Sequence, residues 1–304
     1  MIRYLEHHEI DKAKWDACID RAFNGLIYAY SWYLDIVSPY WDALIDGHYE
    51  SMMPLVHKKK WRIAYIYPPL FVQQLGVFSM IPLTPTKIEK FALAIPEKFK
   101  FFEINLNSSN QFENAAFICN KKINYELDLN QSYNQIKKQY NEETKRNLKL
   151  ALKNNMIISQ TINPIEIINL FIQNRGKQIK KIKSSQYKIL ERLITFLVEK
   201  NRVKIFSALT EKKKLCAGAF FIQSHNRSIF IFSATDETAK KTGAMRLLID
   251  NFIRDYCETK HILDFEGSNI PNLARFYQGF GGKESVYLQI KQNRLPKMLK
   301  WLKK

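Results

Sequence analysis

The sequence predicts an α/β protein with mixed sheets, built from two tandem copies of one unit. Two observations carry this prediction. Strand-like and helix-like segments follow the same order in both halves of the 304 residues. A chain of this length with 46% hydrophobic and 13% aromatic residues can also bury two cores of ordinary size. We place the first domain at residues 1–130 and the second at 131–304, with the tail 295–304 packing back on the first.

The second half shows this order most clearly. Strand-like apolar runs are separated by short polar turns, which predicts an antiparallel meander of three strands. Apolar residues at steps of three and one then predict a helix with one buried face. Pro271 suits the first turn of a further helix, which the following glycines end. In order, we predict strands at 203–210, 215–223 and 228–234, a helix at 242–258, a strand at 262–265, a helix at 271–277 and a strand at 285–290.

The first half repeats the order more faintly. The turn at Asp46 and Gly47 separates two strand-like runs, and a helical pattern then precedes further strands. Between the halves, residues 132–154 are polar and helical in pattern, so they join the domains or begin the second. In the first half we predict strands at 41–45, 52–57 and 63–67, a helix at 87–94, and strands at 101–106, 115–119 and 124–129.

The charge balance points to an anionic partner. The chain has 47 Lys and Arg against 29 Asp and Glu, a formal net charge of +18, which exceeds what solubility requires. A solvated helix face is the alternative explanation. One run contains no acid, and its cations are Arg175, Lys177, Lys180, Lys181, Lys183 and Lys188.

Cysteine and histidine spacing gives no sign of a disulfide framework or a metal site. The four cysteines are scattered without a Cys-x-x-Cys pair, and no His-Glu-x-x-His motif is present. No apolar run is long enough to cross a bilayer, and the N-terminus lacks the apolar segment of a signal peptide. We therefore predict a cytoplasmic protein with no metal and no tightly bound cofactor.

Three antiparallel strands, a helix and a strand parallel to the third resemble the core of the GNAT acyltransferases. In that family the third and fourth core strands splay apart, and the acyl donor lies in the gap. The resemblance places the gap between strands 228–234 and 262–265. The motif Asp264-Phe-Glu-Gly-Ser268 would then stand at its mouth, where open α/β sheets place ligands.

Further motifs resemble tandem-GNAT proteins, the Fem-type peptidoglycan bridge-forming transferases and their acetyltransferase-domain relatives. The resemblance covers most of the chain, and it is specific for fold and weak for substrate. Its motifs are Lys145-Arg146, Asn174-Arg-Gly-Lys177, Lys241-Thr-Gly243-Ala, Asp264-Phe-Glu-Gly-Ser268, Phe276-Tyr-Gln-Gly-Phe-Gly-Gly282 and, in the first half, Tyr65-Ile-Tyr-Pro-Pro-Leu-Phe-Val-Gln-Gln74.

This resemblance implies acyl or aminoacyl transfer from an anionic donor to an amine. Fem-type enzymes use aminoacyl-tRNA and a peptidoglycan precursor, and relatives are expected to use acyl-CoA as co-substrate. Both donors carry phosphates, which suits the basic run. The implied acceptor is a lipid-linked or nucleotide-linked envelope precursor, with peripheral contact at the inner face of the membrane. The alternative is a catalytically inactive GNAT-fold protein that binds nucleic acid or an anionic envelope precursor.

A donor loop is predicted at Lys240, Lys241, Thr242, Gly243 and Ala244. A GNAT loop reads Gln/Arg-x-x-Gly-x-Gly/Ala at a helix start, so that backbone N–H groups meet a diphosphate. Gly243 fits this pattern, and Met245 departs from it where a small residue would allow close approach. A glycine before a helix also commonly marks only the boundary between two structural elements. The first half has Pro82-Leu-Thr-Pro85 at the equivalent place, so we predict that it does not hold CoA.

Asp264 and Glu266 are the candidate catalytic bases. An attacking amine must lose a proton, and a carboxylate near the gap can take it. If the strand stays regular, alternation points both side chains to one face. The alternative is that these acids cap the helix that opens near Pro271.

Substrate contacts are predicted at eight positions. Arg175 and Lys177 suit phosphates, and Gln73 and Gln74, beside two prolines at a strand edge, suit hydrogen bonds from the first domain. The resemblance adds Lys145, Arg146, Ser268 and Tyr277. In the tail, apolar residues fall on one helical face and lysines on another; we favour docking on the first domain over membrane binding.

Overall fold

The computed structural model describes residues 1–178, 183–267 and 269–296. It divides into two compact units, Met1–Ile123 with Val286–Lys304, and Asn124–Ser285. The domain limits at 130 and 131 stay a prediction. The predicted helix at the end of the tail and its packing lie outside the described residues. None of the helices in the described ranges combines the length and the apolar character needed to span a bilayer.

The strands are β1 (Arg3–Leu5), β2 (Trp41–Asp46), β3 (Ser51–Lys60), β4 (Ile63–Ile66), β5 (Phe78–Ser79), β6 (Phe99–Asn105), β7 (Ile118–Asp128), β8 (Ile157–Ser159), β9 (Val203–Leu209), β10 (Leu215–Ser224), β11 (Arg227–Thr235), β12 (Ile262–Asp264) and β13 (Lys283–Asn293). The α-helices are α1 (Lys12–Arg21), α2 (Ser31–Val37), α3 (Pro85–Leu93), α4 (Tyr133–Lys138), α5 (Glu142–Lys153), α6 (Pro164–Gln173), α7 (Ser184–Glu199), α8 (Glu237–Thr242), α9 (Ala244–Tyr256) and α10 (Pro271–Gln278).

The first unit has the strand order β1-β2-β3-β4-β6-β13, and β5 also pairs with β3. β2, β3 and β4 form an antiparallel meander. After α3, β6 runs parallel to β4, and β13 pairs antiparallel with β6. Aromatic residues of α3 and β6, Phe91, Phe99 and Phe102, fill the core of this unit together with Leu44 and Ile290.

The second unit has the strand order β7-β12-β11-β10-β9-β8, to which β7 contributes the residues that pair with β12. β9, β10 and β11 form the second meander, and β12 runs parallel to β11. Under this sheet, the ring of Phe252 on α9 stacks on that of Phe221 at a centroid distance of 3.9 Å. The predicted mixed α/β fold with a repeated unit is therefore confirmed.

Several local predictions differ from the structure. Residues 115–117 precede β7, which is one strand of eleven residues rather than two short ones. The segment 132–154 forms two helices, because the side chain of Asn141 accepts a hydrogen bond from the Thr144 N–H and begins α5 anew. Helices α1, α2, α6 and α7 were not predicted. In α6, an Ile-Ile-Asn-Leu-Phe-Ile run has the apolar content of a strand as well as of a helix.

A buried carboxylate holds the N-terminal strand on the first sheet. Asp42 on β2 accepts a hydrogen bond from the Tyr4 hydroxyl of β1, and it lies 3.0 Å from Nε2 of His57 and 3.5 Å from Nζ of Lys98. Burial raises the pKa of Asp42, but the close contact with His57, the hydrogen bond from Tyr4 and the charge of Lys98 lower it more, so it lies below its ordinary value of 3.8.

This shift predicts an acid limit to stability. Because the folded pKa of Asp42 is depressed, its contribution is present above the unfolded pKa of about 3.9 and is lost as the pH falls through the folded value. We expect Asp42→Asn to be less stable than the wild type at pH 7 and to lose less stability between pH 5 and 3 than the wild type does. Urea unfolding over that pH range measures both slopes, and parallel slopes would contradict this account.

Candidate functional site

The candidate site is a gap between two parallel strands of the second unit. β11 and β12 pair at three positions only, Arg227 with Ile262, Ser228 with Leu263 and Ile229 with Asp264. β12 ends there, whereas β11 continues to Thr235. The backbone of residues 230–235 on that side therefore has no strand partner in the described part of the chain.

An irregularity in β11 coincides with the parting of the strands. In the pairing with β10, Phe220 is opposite Phe232 and Phe221 is opposite Phe230, so Ile231 is an extra residue. Such a bulge bends its strand and increases the local twist. The bulge thus turns β11 away from the line of β12 directly after the last paired residue.

The gap holds a cavity of about 340 Å³. One wall comes from β11 beyond the last pair, a second from α8 and the start of α9, and a third from α10. Three of the lining residues, Phe230, Phe276 and Tyr277, are aromatic, and the α8–α9 wall carries two cations. The lining residues are Phe230, Ser233, Thr235, Ala239, Lys240, Gly243, Met245, Arg246, Leu273, Phe276 and Tyr277.

Arg246 is the best-positioned cation of this cavity. One of its terminal nitrogens lies 2.5 Å from Oε1 of Glu143, and its guanidinium lies over the ring of Phe276, 4.9 Å from the centroid. Its Nε is buried and has no hydrogen-bond partner among the described residues. Burial lowers the pKa of Arg246, yet an arginine keeps its charge in proteins. An anion in the cavity would meet the positive charge of this guanidinium.

The predicted donor loop is helical. Lys240, Lys241 and Thr242 end α8, Gly243 joins the two helices and Ala244 begins α9. Lys240 and Gly243 line the cavity, whereas Lys241 and Thr242 do not. The Gly243 N–H donates to the Ala239 carbonyl, and the Thr242 hydroxyl donates to that of Thr238 at 2.9 Å. These groups are therefore already used within the protein.

Gly243 is required for a reason other than ligand approach. Its φ is +73°, and a Cβ there would lie 2.5 Å from the backbone oxygen of Asn147 on α5. The missing side chain thus makes room for α5 in a conformation that suits glycine. Whether the backbone of this junction also meets a donor stays a prediction.

The two predicted bases have different surroundings. β12 ends at Asp264 and Glu266 has a φ of +53°, so the regular alternation expected for the strand does not continue. Asp264 is buried, and its oxygens lie 2.7 Å from Nη1 of Arg227 and 2.9 Å from both the Asn124 amide nitrogen and the Glu266 backbone nitrogen. Burial raises the pKa of Asp264 against the lowering effect of Arg227.

Arg227 joins three strands through its contacts with the carboxylates of Glu126 and Asp264. The same Nη1 lies 2.8 Å from Oε1 of Glu126 on β7 and 2.7 Å from Asp264 on β12, while Arg227 itself begins β11. The cluster sits on the paired side of the point where β11 and β12 part. Asp264 therefore anchors the strands. Glu266 is half-buried, follows the end of β12 by two residues, and its negative charge acts on Tyr277.

Tyr277 brings a hydroxyl to the cavity. Its ring is buried and stacks on Phe265 at a centroid distance of 5.0 Å. The hydroxyl has no hydrogen-bond partner among the described residues. Burial, followed by the negative charges of Glu266 and Asp264, raises the pKa of Tyr277. The phenol therefore keeps its proton at neutral pH and can donate it.

The other predicted contacts lie around the second unit. Lys145 and Arg146 are on α5, where Lys145 pairs with Glu142 at 2.9 Å and the charge of Arg146 acts on Arg246. Ser268, Lys180 and Lys181 lie outside the described residues. Arg175 and Lys177 are in the turn after α6, and Lys177 lines a second cavity of about 630 Å³ with Glu166, Asn169, Leu170, Gln173, Asn174, Lys214, Leu215 and Asp236.

The first unit fills its own equivalent gap. β4 and β6 pair in parallel up to Ile66 and Phe102, but the chain then returns beside β6, where the Leu75 N–H donates to the Asn105 carbonyl at 2.7 Å. The cavity that remains measures about 10 Å³, which is room for about one water molecule.

Gln73 and Gln74 belong to this filled gap. Gln73 lines the small cavity. Gln74 is buried, donates to the side chain of Gln73 and accepts from the Ser108 N–H at 3.0 Å. The predicted hydrogen bonds to a ligand would therefore replace bonds that hold the loop. Arg246, Arg227 and Asn124 were not predicted as site residues, because their only signal in the sequence was a position beside predicted motifs.

Among the described residues, no group of three His, Cys, Asp or Glu side chains is arranged to hold a metal ion. The four cysteines are free thiols, and burial raises the pKa of Cys216 to about 12. None of the four cysteines lines the cavity.

The role of Asp264 as an anchor predicts a loss of stability when it is changed. Asp264→Asn leaves the buried Arg227 with one carboxylate fewer, and breaking a buried ion pair costs about 3 kcal/mol. Urea unfolding measures this loss. Asp128→Asn is the matched control, since it makes the same chemical change on an exposed residue of β7 whose described hydrogen bond is a local one from the Asn130 N–H. Equal losses in both variants would contradict the assignment of Asp264 as the anchor.

Comparison with known proteins agrees with this geometry. A family model described as acetyltransferase (GNAT) domain matches residues 167–269, which include the cavity walls from β11 to the start of α9. A sequence search among curated proteins finds no match.

Solved structures similar in fold include a crystal structure of FemX, with a TM-score of 0.66 and 11% identity over 99% of both chains. The structure of L-PGS from Bacillus licheniformis has a TM-score of 0.56 and 10% identity, covering 96% of this chain and 95% of that one. A tandem GNAT protein from the clavulanic acid biosynthesis pathway has a TM-score of 0.51 and 11% identity, covering 98% and 100%. The resemblance to the tandem GNAT proteins is confirmed, and at these identities the likeness shows the fold.

Proposed function

We propose that this protein is an acyltransferase whose anionic donor binds in the gap between β11 and β12 of the second unit and whose acceptor is an amine. The observation that carries the proposal is the contrast between the two gaps. The second unit keeps a cavity of about 340 Å³ open to its unpaired strand, whereas the first unit closes its gap to about 10 Å³.

The donor meets three kinds of group in this cavity. The unpaired edge of β11 offers backbone N–H and C=O groups to an extended, amide-containing arm, as an added strand would use them. The N-terminus of α9, a helix of 13 residues, favours negative charge. Arg246 supplies a cation in the cavity lining. Together these suit a phosphate-bearing carrier, which is common to acyl-CoA and aminoacyl-tRNA.

The acceptor approaches from the second cavity. Asp236 in that cavity follows Thr235 in the first, so consecutive residues line both at the end of β11. Glu166 and Asp236 suit the cationic form of an amine, and Lys177 and Lys214 suit an anionic group elsewhere on the same molecule. A cell-envelope precursor with amine and acid groups fits this combination of acidic and basic side chains, and we propose it as the acceptor class.

In the proposed reaction, the amine nitrogen attacks the acyl carbonyl carbon. A carbon–nitrogen bond forms and the bond from that carbon to the sulfur or oxygen of the carrier breaks. The Tyr277 hydroxyl donates a proton to the leaving sulfur or oxygen, since its raised pKa keeps it protonated. The Glu266 carboxylate takes the proton lost by the amine, and Asp264 holds the end of β12, two residues before Glu266.

A second function, binding without catalysis, is favoured by one observation. The segment predicted as the donor loop is helical, and the N–H of Gly243 already donates within the protein. A protein of this kind would bind an anionic donor-like molecule in the gap and transfer nothing, so Tyr277 would make no kinetic contribution.

Donor binding tests the proposal first. We expect CoA, acetyl-CoA or aminoacyl-tRNA to raise the melting temperature, and Arg246→Gln to weaken that ligand's Kd by about tenfold, since a charge-assisted contact is worth about 1.5–3 kcal/mol. Lys241→Gln is the matched control, because it removes the same charge from a residue outside the cavity lining. The proposed site is wrong if both variants weaken binding equally or neither does.

Transfer tests the chemistry. With the donor that binds, carrier release in the presence of primary amines should show kcat falling by about a hundredfold in Tyr277→Phe with Kd unchanged, because proton donation is lost. Tyr125→Phe is the control, since its hydroxyl bonds Glu284 at 3.0 Å outside the cavity. Equal kcat in both variants would exclude Tyr277 as the proton donor, and donor binding without any transfer would favour the binding protein.

A further inference from the structure

The turn between β3 and β4 presents a tryptophan at the end of a basic hairpin. The ladder closes with Lys60 opposite Ile63, so Trp61 and Arg62 form a two-residue loop. Trp61 is 72% exposed. Every residue from Lys58 to Arg62 is exposed, so the end of the hairpin stands clear of the first unit.

The backbone of this turn is unfavourable for the residues it carries. Trp61 has a φ of +48° and Arg62 a φ of +64°, as in a type I′ turn, where both central residues are left-handed. Asn-Gly is the pair that suits such a turn, and a bulky residue with positive φ is a strained outlier. Folding therefore gains nothing from tryptophan and arginine at these two positions, and their exposed side chains point to a binding role.

The charges of the hairpin are not neutralised by the protein. Residues 51–66 contain Lys58, Lys59, Lys60 and Arg62 and no acid, and none of these four has an ion-pair partner in the described ranges. Lys60 lies over the Trp61 ring at 4.6 Å from its centroid, and Lys58 over that of Tyr67 at 4.3 Å. At the base, the exposed Tyr40 accepts a backbone hydrogen bond from His57.

We propose that this hairpin binds the surface of an anionic phospholipid bilayer. An indole is favoured at the boundary between headgroups and acyl chains. Lysine and arginine beside it attract anionic headgroups, an attraction that salt weakens. The four unpaired cations flank the indole on both sides of a projecting turn, so Trp61 can enter the interface while the lysines meet phosphates.

A membrane fits this shape better than a nucleic acid does. Proteins that bind single strands stack successive bases on several aromatic residues along a basic groove. Here one indole stands at the end of a hairpin, and the other aromatic rings lie back along the strands. The proposal does not depend on the donor cavity, since no residue of the hairpin belongs to it.

Vesicle binding by the full chain tests the proposal. The variant Trp61→Asn with Arg62→Gly removes both side chains and installs the pair that the turn prefers, so the fold is kept. We expect wild-type protein to sediment with vesicles of phosphatidylcholine and phosphatidylglycerol, less so at high salt, and weakly with phosphatidylcholine alone. The variant should lose about tenfold or more of its affinity for the anionic vesicles.

A matched charge control separates this hairpin from the general basic surface. Lys59→Gln with Lys60→Gln should weaken vesicle binding more than Lys212→Gln with Lys213→Gln, which removes two exposed lysines from the turn between β9 and β10. The proposal is overturned if the wild type does not bind anionic vesicles or if the two lysine pairs act equally. It is also overturned if the turn variant keeps full vesicle affinity, whether or not it loses affinity for a single-stranded oligonucleotide.

Discussion

The ion cluster of Arg227 with Asp264 and Glu126 is the constraint on which the second unit depends. It ties β7, β11 and β12 together on the paired side of the last β11–β12 pair. The Arg227 nitrogen lies 2.7 Å from the Asp264 carboxylate and 2.8 Å from that of Glu126. Immediately beyond it, the bulge at Ile231 turns β11 away and the end of β12 removes its partner. One side of the parting is thus fixed by buried charge, and the other is free to hold a ligand.

The two units show how the same order of elements can keep or lose such a gap. In the first, residues that follow β4 return beside β6, and backbone bonds of Leu75 with Asn105 and Asn107 occupy the edge that the second unit leaves open. Gln74 then ties this loop to Ser108. In the second, the chain after β11 enters α8 directly. The contrast comes from where one connecting segment runs, which explains why we assign donor binding to one unit only.

Apolar periodicity was sufficient to predict the meanders, α9 and the parallel strand β12, because those segments bury one face or both. The resemblance to the GNAT proteins, rather than periodicity, led to Tyr277, Lys240 and Gly243, all of which line the cavity. Periodicity could not find Arg246 or Arg227, since a single arginine carries no pattern and acquires its role from partners distant in sequence. Nor could alternation foresee the left-handed φ of Glu266, or spacing reveal that Gly243 accommodates α5 as well as lining the cavity.

Backbone hydrogen exchange in the presence of the bound donor tests the central claim most directly, because it reports on both gaps at once. If the donor occupies the gap of the second unit, amides of residues 230–235 and 244–246 should exchange more slowly when it is added, while those of residues 67–77 in the first unit should be unchanged. Slower exchange at 67–77, or a bound donor that leaves β11 unprotected, would contradict the account.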